Sequence, residues 1–111
     1  MALVPKTANA TASGVTDIVS ETASYAIVVY GGTVHNADTA NVEVGIRAGD
    51  AGSDFWHAVL GPNGQGSILG FNDAKGRGVE LAVNTPLVVN LSNGSTYNVD
   101  VNVVYELKLI G

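Results

Sequence analysis

Two histidines, His35 and His57, are the side chains in this 111-residue sequence best suited to general acid or base chemistry. A serine hydrolase would place one of them beside a serine and an aspartate. The sequence contains no Gly-x-Ser-x-Gly turn to present such a serine, and no spacing pairs either histidine with these partners. We therefore expect His35 in a turn and His57 on the solvent face of a strand, and we predict that the protein is not an enzyme.

Glycine-rich loops hold carboxylate and amide side chains of the kind that Ca²⁺ prefers. The EF-hand spacing is absent, however, and turns favour Asp and Asn for backbone reasons alone. The glycine-rich run 61–66 lacks the Lys-Ser/Thr pair of a phosphate-binding loop, and the chain has no cysteine for a thiolate site. We predict no metal site and no cofactor. The loop residues considered as metal ligands are Asp50, Asp54, Asn72 and Asp73.

Three apolar side chains are candidates for contact with a partner protein. Trp56 follows Phe55, and because adjacent strand residues point to opposite faces, one of the two is expected outside the core. A Trp56 that covers one end of the core is the alternative. Val104 and Ile110 interrupt an otherwise polar strand face, and exposed apolar patches mark contact surfaces. We predict self-association through them; the alternative is that the N-terminal residues fold back over Val104 and Ile110 within one subunit.

The charge balance argues against two classes of partner. The net charge is −5, and only 14% of the residues are charged. Nucleic acids and anionic membranes both select clustered cations, which are absent here. No stretch approaches the roughly 20 apolar residues of a membrane span, and no basic region precedes an apolar run as in a secretory signal, so we expect synthesis in a cytoplasm without export. The five scattered cations are Lys6, Arg47, Lys75, Arg77 and Lys108.

Short strands separated by turns account for most of the chain. The regular turn signals and the absence of a helical period predict an all-β fold, a single antiparallel β-sandwich or jelly-roll-like domain of about eight strands. The apolar run 25–30 ends at Gly31-Gly32 and indicates a strand buried on both faces. The expected strands cover residues 15–22, 25–30, 41–47, 54–60, 67–71, 79–83, 86–91 and 97–110.

The closing segment carries the strongest strand pattern, a period of two over about 14 residues from Tyr97 to Ile110. At ~3.3 Å per residue it would span about 45 Å, so we expect it either to bend at a bulge and serve two sheets or to leave the domain body. The residues expected in the core are Tyr97, Val99, Val101, Val103 and Tyr105.

The first residues lack this period and are rich in Ala, Thr, Asn and Ser. This composition predicts an extended arm or a short edge strand. We divide the chain into an N-terminal arm, 1–14, and a β-sandwich domain, 15–111, and expect the arm to serve association rather than folding.

An Ala-, Thr- and Ser-rich start leads into a series of strands and turns, namely Tyr25–Tyr30, His35–Asp38, Asn41–Ile46, Val88–Leu91, Asn93–Thr96 and Val99–Tyr105. This order resembles the small β-sandwich virion proteins of tailed bacteriophages, in particular the capsid decoration (cement) class. The resemblance covers most of the chain and assigns no site residue. It implies a protein on the capsid surface of the virion that binds the major capsid protein or another virion protein, as a homotrimer.

A carbohydrate-binding, lectin-like β-sandwich module is the second interpretation. Trp56, Tyr30 and Tyr97 are aromatic side chains that stack on sugars, and the Asp- and Asn-rich loops offer hydrogen bonds to hydroxyl groups. Calcium-dependent glycan binding would favour this module. Co-purification with a capsid, or trimers in solution, would favour the virion protein.

Overall fold

Nine strands occur in the parts of the chain that the computed structural model describes, residues 3–52, 54–67 and 79–110. Their alternating, β-branched sequences are typical of half-buried strands. The strands are β1 (Val4–Ala10), β2 (Gly14–Val19), β3 (Tyr25–Asn36), β4 (Val42–Ala48), β5 (Asp54–Leu60), β6 (Gln65–Ser67), β7 (Val79–Glu80), β8 (Leu87–Ser92) and β9 (Val99–Leu109).

The strands form two antiparallel sheets. Sheet A has the order β1-β9-β3-β6, with β7 also paired to β3, and sheet B has the order β2-β8-β4-β5. The pairs are nested: β1 with β9, β2 with β8, β3 with β6 and β4 with β5. The chain is therefore one long antiparallel ribbon folded over itself, which is the connectivity of a jelly roll. The predicted all-β sandwich is confirmed.

Alternate residues of the two sheets fill the space between them. Val99, Val101 and Val103 of β9 are buried as predicted, whereas Tyr97 and Tyr105 are half-buried and pack against the edge of the core. Each fully buried valine contributes roughly 1.5–3 kcal/mol to the free energy of folding. Sheet B supplies the buried alternating positions Val42, Val44, Ile46, Leu87, Val89 and Leu91.

The long closing strand stays within one sheet. β9 pairs with β3 along its whole length, and the bulge lies in β3, where the register shifts between Val29 and Gly31. Gly31 has a φ of 146°, a conformation that favours glycine. The Gly31-Gly32 pair therefore bends β3 and does not end it, so β3 continues to Asn36 instead of ending at residue 30. The run 25–30 is buried on both faces as predicted, at Ala26, Ile27, Val28 and Val29.

The N-terminal segment takes the second of its two predicted forms. Residues 4–10 form the edge strand β1 and pair with β9 from Val4 opposite Tyr105 to Ala10 opposite Val99. Ala10 is buried in the core, and β2 begins at Gly14. The segment is thus built into sheet A.

Part of the predicted strand pattern lies outside the described residues. Of the strand expected at 67–71 only residue 67 is described, as the end of β6, and the strand expected at 79–83 is the two-residue β7. Within the described ranges, no helix has the length and apolar character needed to cross a membrane.

Candidate partner-binding face

The outer face of sheet A is the surface formed by side chains of β1, β9 and β3 that point away from sheet B. Strand alternation places it: Val101 and Val103 point inward to the core, so Asp100, Asn102 and Val104 point outward. The pairing of β1 with β9 then sets Pro5 beside Val104, Thr7 beside Asn102 and Asn9 beside Asp100.

Polar side chains on this face bond to one another across the strands. The Thr7 hydroxyl donates to Asn102 Oδ1 at 2.6 Å, and Asn102 Nδ2 donates to Thr33 Oγ1 at 3.5 Å. One row away, Asn9 Nδ2 donates to Asp100 Oδ1 at 2.7 Å. We call these five residues the polar ladder. It carries one charged group, Asp100, and much of its hydrogen-bonding capacity is already used within the protein.

A shallow depression of about 210 Å³ adjoins the polar ladder. Pro5 and Val104 are among its lining residues, and so is Gly32. A Cβ atom at Gly32 would lie 1.9 Å from the backbone oxygen of Asn102, so the strands can approach here only because the residue is glycine. The result is an apolar recess beside a set of hydroxyl and amide groups.

A cluster of ionisable groups borders the face where β7 meets β3. The Tyr30 hydroxyl donates a hydrogen bond to Glu106 Oε1, and Lys108 Nζ lies 3.0 Å from Glu80 Oε1. The hydrogen bond to Glu106 raises the pKa of Tyr30, with smaller contributions from burial and from the negative charges of Glu106 and Glu80. Tyr30 is therefore held in its neutral form at the border of the face.

The two histidines lie on opposite outer faces. His35 is in β3, not in the turn expected for it, and its Nδ1 is 4.0 Å from Asp100 Oδ2. The turn expected at His35 begins after Asn36 instead, because β3 continues through Gly31-Gly32. His57 is on the solvent face of β5, as predicted, with Nε2 3.3 Å from Glu43 Oε2.

One end of the sandwich is organised by Asn36, a fully buried polar side chain. Its Nδ2 donates to the backbone oxygens of Ala40 at 2.8 Å, Gly61 at 3.0 Å and Leu60 at 3.3 Å. Its Oδ1 accepts from the backbone N–H of Asp38 at 3.1 Å. This single amide joins the β3–β4 loop to the β5–β6 loop.

Asp38 lies in the same loop end. Hydrogen bonds from the Thr96 side chain and from the Thr39 backbone hold the pKa of Asp38 below its ordinary value. The Thr39 N–H donates to Asp38 Oδ1 at 2.6 Å. Asp38 therefore links the β3–β4 loop to the β8–β9 loop in its charged form.

The three predicted contact residues are separated in the fold. Trp56 lies opposite the inward-facing Ile46 and is half-buried against the core. This placement agrees with the alternative given above, in which Trp56 covers one end of the core. Val104 is 37% exposed in the depression, and Ile110 is 48% exposed just beyond β9. Six residues of extended chain, about 20 Å, separate the last two. A role in partner contact stays a prediction for all three.

The loop carboxylates considered as metal ligands do not converge in the described ranges. Arg47 Nε donates to Asp54 Oδ1 at 2.8 Å, and Arg47 Nη1 reaches the backbone oxygen of Asp50 at 3.4 Å. No group of three or more potential metal-binding side chains occurs in the part of the chain that is described. Asn72 and Asp73 lie outside it.

Sequence reasoning missed the part of this face contributed by β1. Pro5, Thr7 and Asn9 alternate with Lys6 and Ala8, a period-two signal that the Ala- and Thr-rich composition obscured. The partner strand β9 was recognised, but pairing between the two chain ends, 95 residues apart at Thr7 and Asn102, leaves no local sequence signal.

The sequence matches no protein-family model. It also matches no curated protein.

Proposed function

We propose that the protein is a non-enzymatic virion structural protein, a capsid decoration protein that binds the outside of a phage head. The jelly-roll connectivity is compatible with this function, since the fold occurs in viral capsid proteins as well as in lectins. The major capsid protein is the proposed partner, and the outer face of sheet A is the proposed contact surface.

The observation that carries the proposal is the chemistry of this face. Polar groups such as Thr7 and Asn102 already hydrogen-bond to each other. When a partner displaces water from them, fewer groups are left without a hydrogen bond, so the free-energy cost of desolvation is smaller. The depression at Pro5 and Val104 adds apolar area beside them. Protein interfaces have this composition, with few charges at their centre and an apolar recess that receives a partner side chain.

A homotrimer is the proposed assembly, with the threefold symmetry resting on the resemblance to decoration proteins. Sedimentation equilibrium at micromolar concentration tests it. Three copies of the 11.3 kDa chain give a particle of about 34 kDa. A particle with the mass of one chain at all concentrations would contradict self-association in solution.

The carbohydrate-binding alternative draws on the amide and carboxylate groups of Asn9, Asp100 and Asn102. Of the three aromatic side chains considered for sugar stacking, only Tyr30 borders this face, and its hydroxyl is bonded to Glu106. Trp56 faces the core, and the Tyr97 hydroxyl accepts a hydrogen bond from the backbone N–H of Gly94 at 3.2 Å. Selective, saturable binding on a glycan array would favour this function over the proposed one.

Two matched valine substitutions test the contact surface. Val104 is on the outer face of sheet A and Val59, 64% exposed, is on the outer face of sheet B. Shells assembled from the major capsid protein of the same genome are sedimented with each variant. We expect Val104→Glu to weaken binding about tenfold or more and Val59→Glu to leave it unchanged. Equal binding by the two variants would contradict the proposed surface.

A further inference from the structure

Two Asn-Gly sequences, Asn63-Gly64 and Asn93-Gly94, occur in loops at the same end of the sandwich. Asn-Gly is the sequence most open to spontaneous deamidation, because glycine leaves the following backbone nitrogen unhindered. That nitrogen attacks the asparagine Cγ, ammonia leaves, and a cyclic succinimide forms. Water then opens the ring to aspartate or isoaspartate. The sequence alone makes the two sites equivalent.

The contacts of Asn93 restrain both reacting groups. Asn93 Nδ2 donates to Glu43 Oε1 at 2.7 Å, which fixes the side-chain amide on the surface of β4. The attacking group, the Gly94 N–H, donates to the Tyr97 hydroxyl at 3.2 Å. The Glu43 carboxylate also places negative charge beside a reaction that passes through an anionic intermediate. Deamidation at Asn93 therefore requires the tertiary contact to Glu43 to break, together with the bond from Gly94 to a tyrosine that packs against the core.

Asn63 lacks a tertiary contact of the kind that Asn93 makes with Glu43. Its side chain is exposed and makes no hydrogen bond within the described ranges. The Gly64 N–H donates to the Gly61 oxygen at 2.8 Å, a bond within one four-residue turn. Such a bond opens whenever the loop fluctuates, without disturbing either sheet.

We propose that Asn63 is a site of spontaneous deamidation and that the fold protects Asn93 from the same reaction. The modification exchanges an amide for a carboxylate and so adds one negative charge to a chain of net charge −5. Isoaspartate also adds a methylene group to the backbone directly before Gly64, whose oxygen accepts the Asn36 N–H at 2.8 Å. The modified residue thus lies directly before the carbonyl that holds the Asn36 backbone N–H.

Peptide mapping by mass spectrometry after incubation at mildly alkaline pH measures both sites in one sample, with isotopically labelled water to mark reaction during incubation. We expect Asn63 to gain the mass of the labelled deamidation product several times faster than Asn93 in the native protein. In guanidinium the two rates should become similar. Equal rates in the native protein, or a faster reaction at Asn93, would overturn the proposal.

Two variants separate structural protection from sequence effects. Glu43→Ala removes the acceptor that holds Asn93 and should accelerate deamidation there, with the rate at Asn63 unchanged. Asn63→Gln should abolish the fast native reaction. If Glu43→Ala left the Asn93 rate unaltered in a folded protein, the hydrogen bond to Glu43 would not be the source of protection.

Discussion

Replacing Asn36 by aspartate changes one NH₂ group to an oxygen at the centre of the loop end. In the native protein that group faces three backbone oxygens, of Ala40, Leu60 and Gly61, at 2.8–3.3 Å. The carboxylate cannot donate to them and brings a negative charge toward them. The accepted bond from the Asp38 N–H can persist, so Asn36→Asp isolates the loss of donation at nearly constant volume.

The magnitude follows from the bonds removed. Two strong donated bonds, to Ala40 and Gly61, are lost, and leaving a buried partner unsatisfied costs about 1–3 kcal/mol per group. We expect Asn36→Asp to lower the free energy of unfolding by about 3 kcal/mol or more near neutral pH. Because the site disfavours the charged form, the folded-state pKa of the new aspartate is raised above the unfolded value of about 3.9. The loss should therefore shrink as the pH falls toward 4.

Urea denaturation followed by the fluorescence of the single tryptophan, Trp56, measures the effect across a pH series. Asn63→Asp is the matched control, since it makes the same atomic change at an exposed side chain of the same loop end. We expect the control to change stability by less than about 0.5 kcal/mol. The role assigned to Asn36 is refuted if Asn36→Asp costs no more than the control, or if its cost is independent of pH.

Three further predictions concern the core, the close approach of β3 to β9, and the loops. Val101→Asp buries a charge at a fully buried position and should abolish soluble folding; a well-expressed variant with a normal melting curve would contradict the inward assignment of this strand face. Gly32→Ala places a Cβ 1.9 Å from a backbone oxygen of β9 and should cost about 1–3 kcal/mol or more in urea denaturation, so an unchanged midpoint would contradict the close approach. The lowered pKa of Asp38 stabilises the fold above the unfolded aspartate value and loses this effect as the pH falls through the folded value. Thr96→Val should therefore lower the urea midpoint at neutral pH and have little effect in acid, and a pH-independent difference would count against the bond.

The sequence predicts the architecture because local patterns determine much of it. The alternation through β9 identifies the core valines Val99, Val101 and Val103 without knowledge of their neighbours. Gly31-Gly32 misleads for a physical reason: a glycine pair can end a strand or bend it, and only the pairing partner decides. Likewise, the sequence of β1 gives only a weak strand pattern, and its pairing with β9 is what makes it a strand.

The candidate face is harder to predict than the fold. Its polar ladder combines residues from both ends of the chain with Thr33 from the middle, and each hydrogen bond depends on sheet order. The role of Asn36 is equally hard to predict from the sequence, since its neighbours are those of an ordinary turn. Its burial results from the lengthened β3 and from the two loops that close over it.

Footprinting of exposed side chains on the free and shell-bound protein tests the central claim, that the outer face of sheet A binds the partner. Hydroxyl-radical labelling read by mass spectrometry reports each side chain separately. The account predicts that binding protects Pro5, Val104 and Tyr30 and leaves Val15 and Val59, on the outer face of sheet B, as reactive as in the free protein. Protection of Val15 and Val59 with no change at Val104 would contradict it.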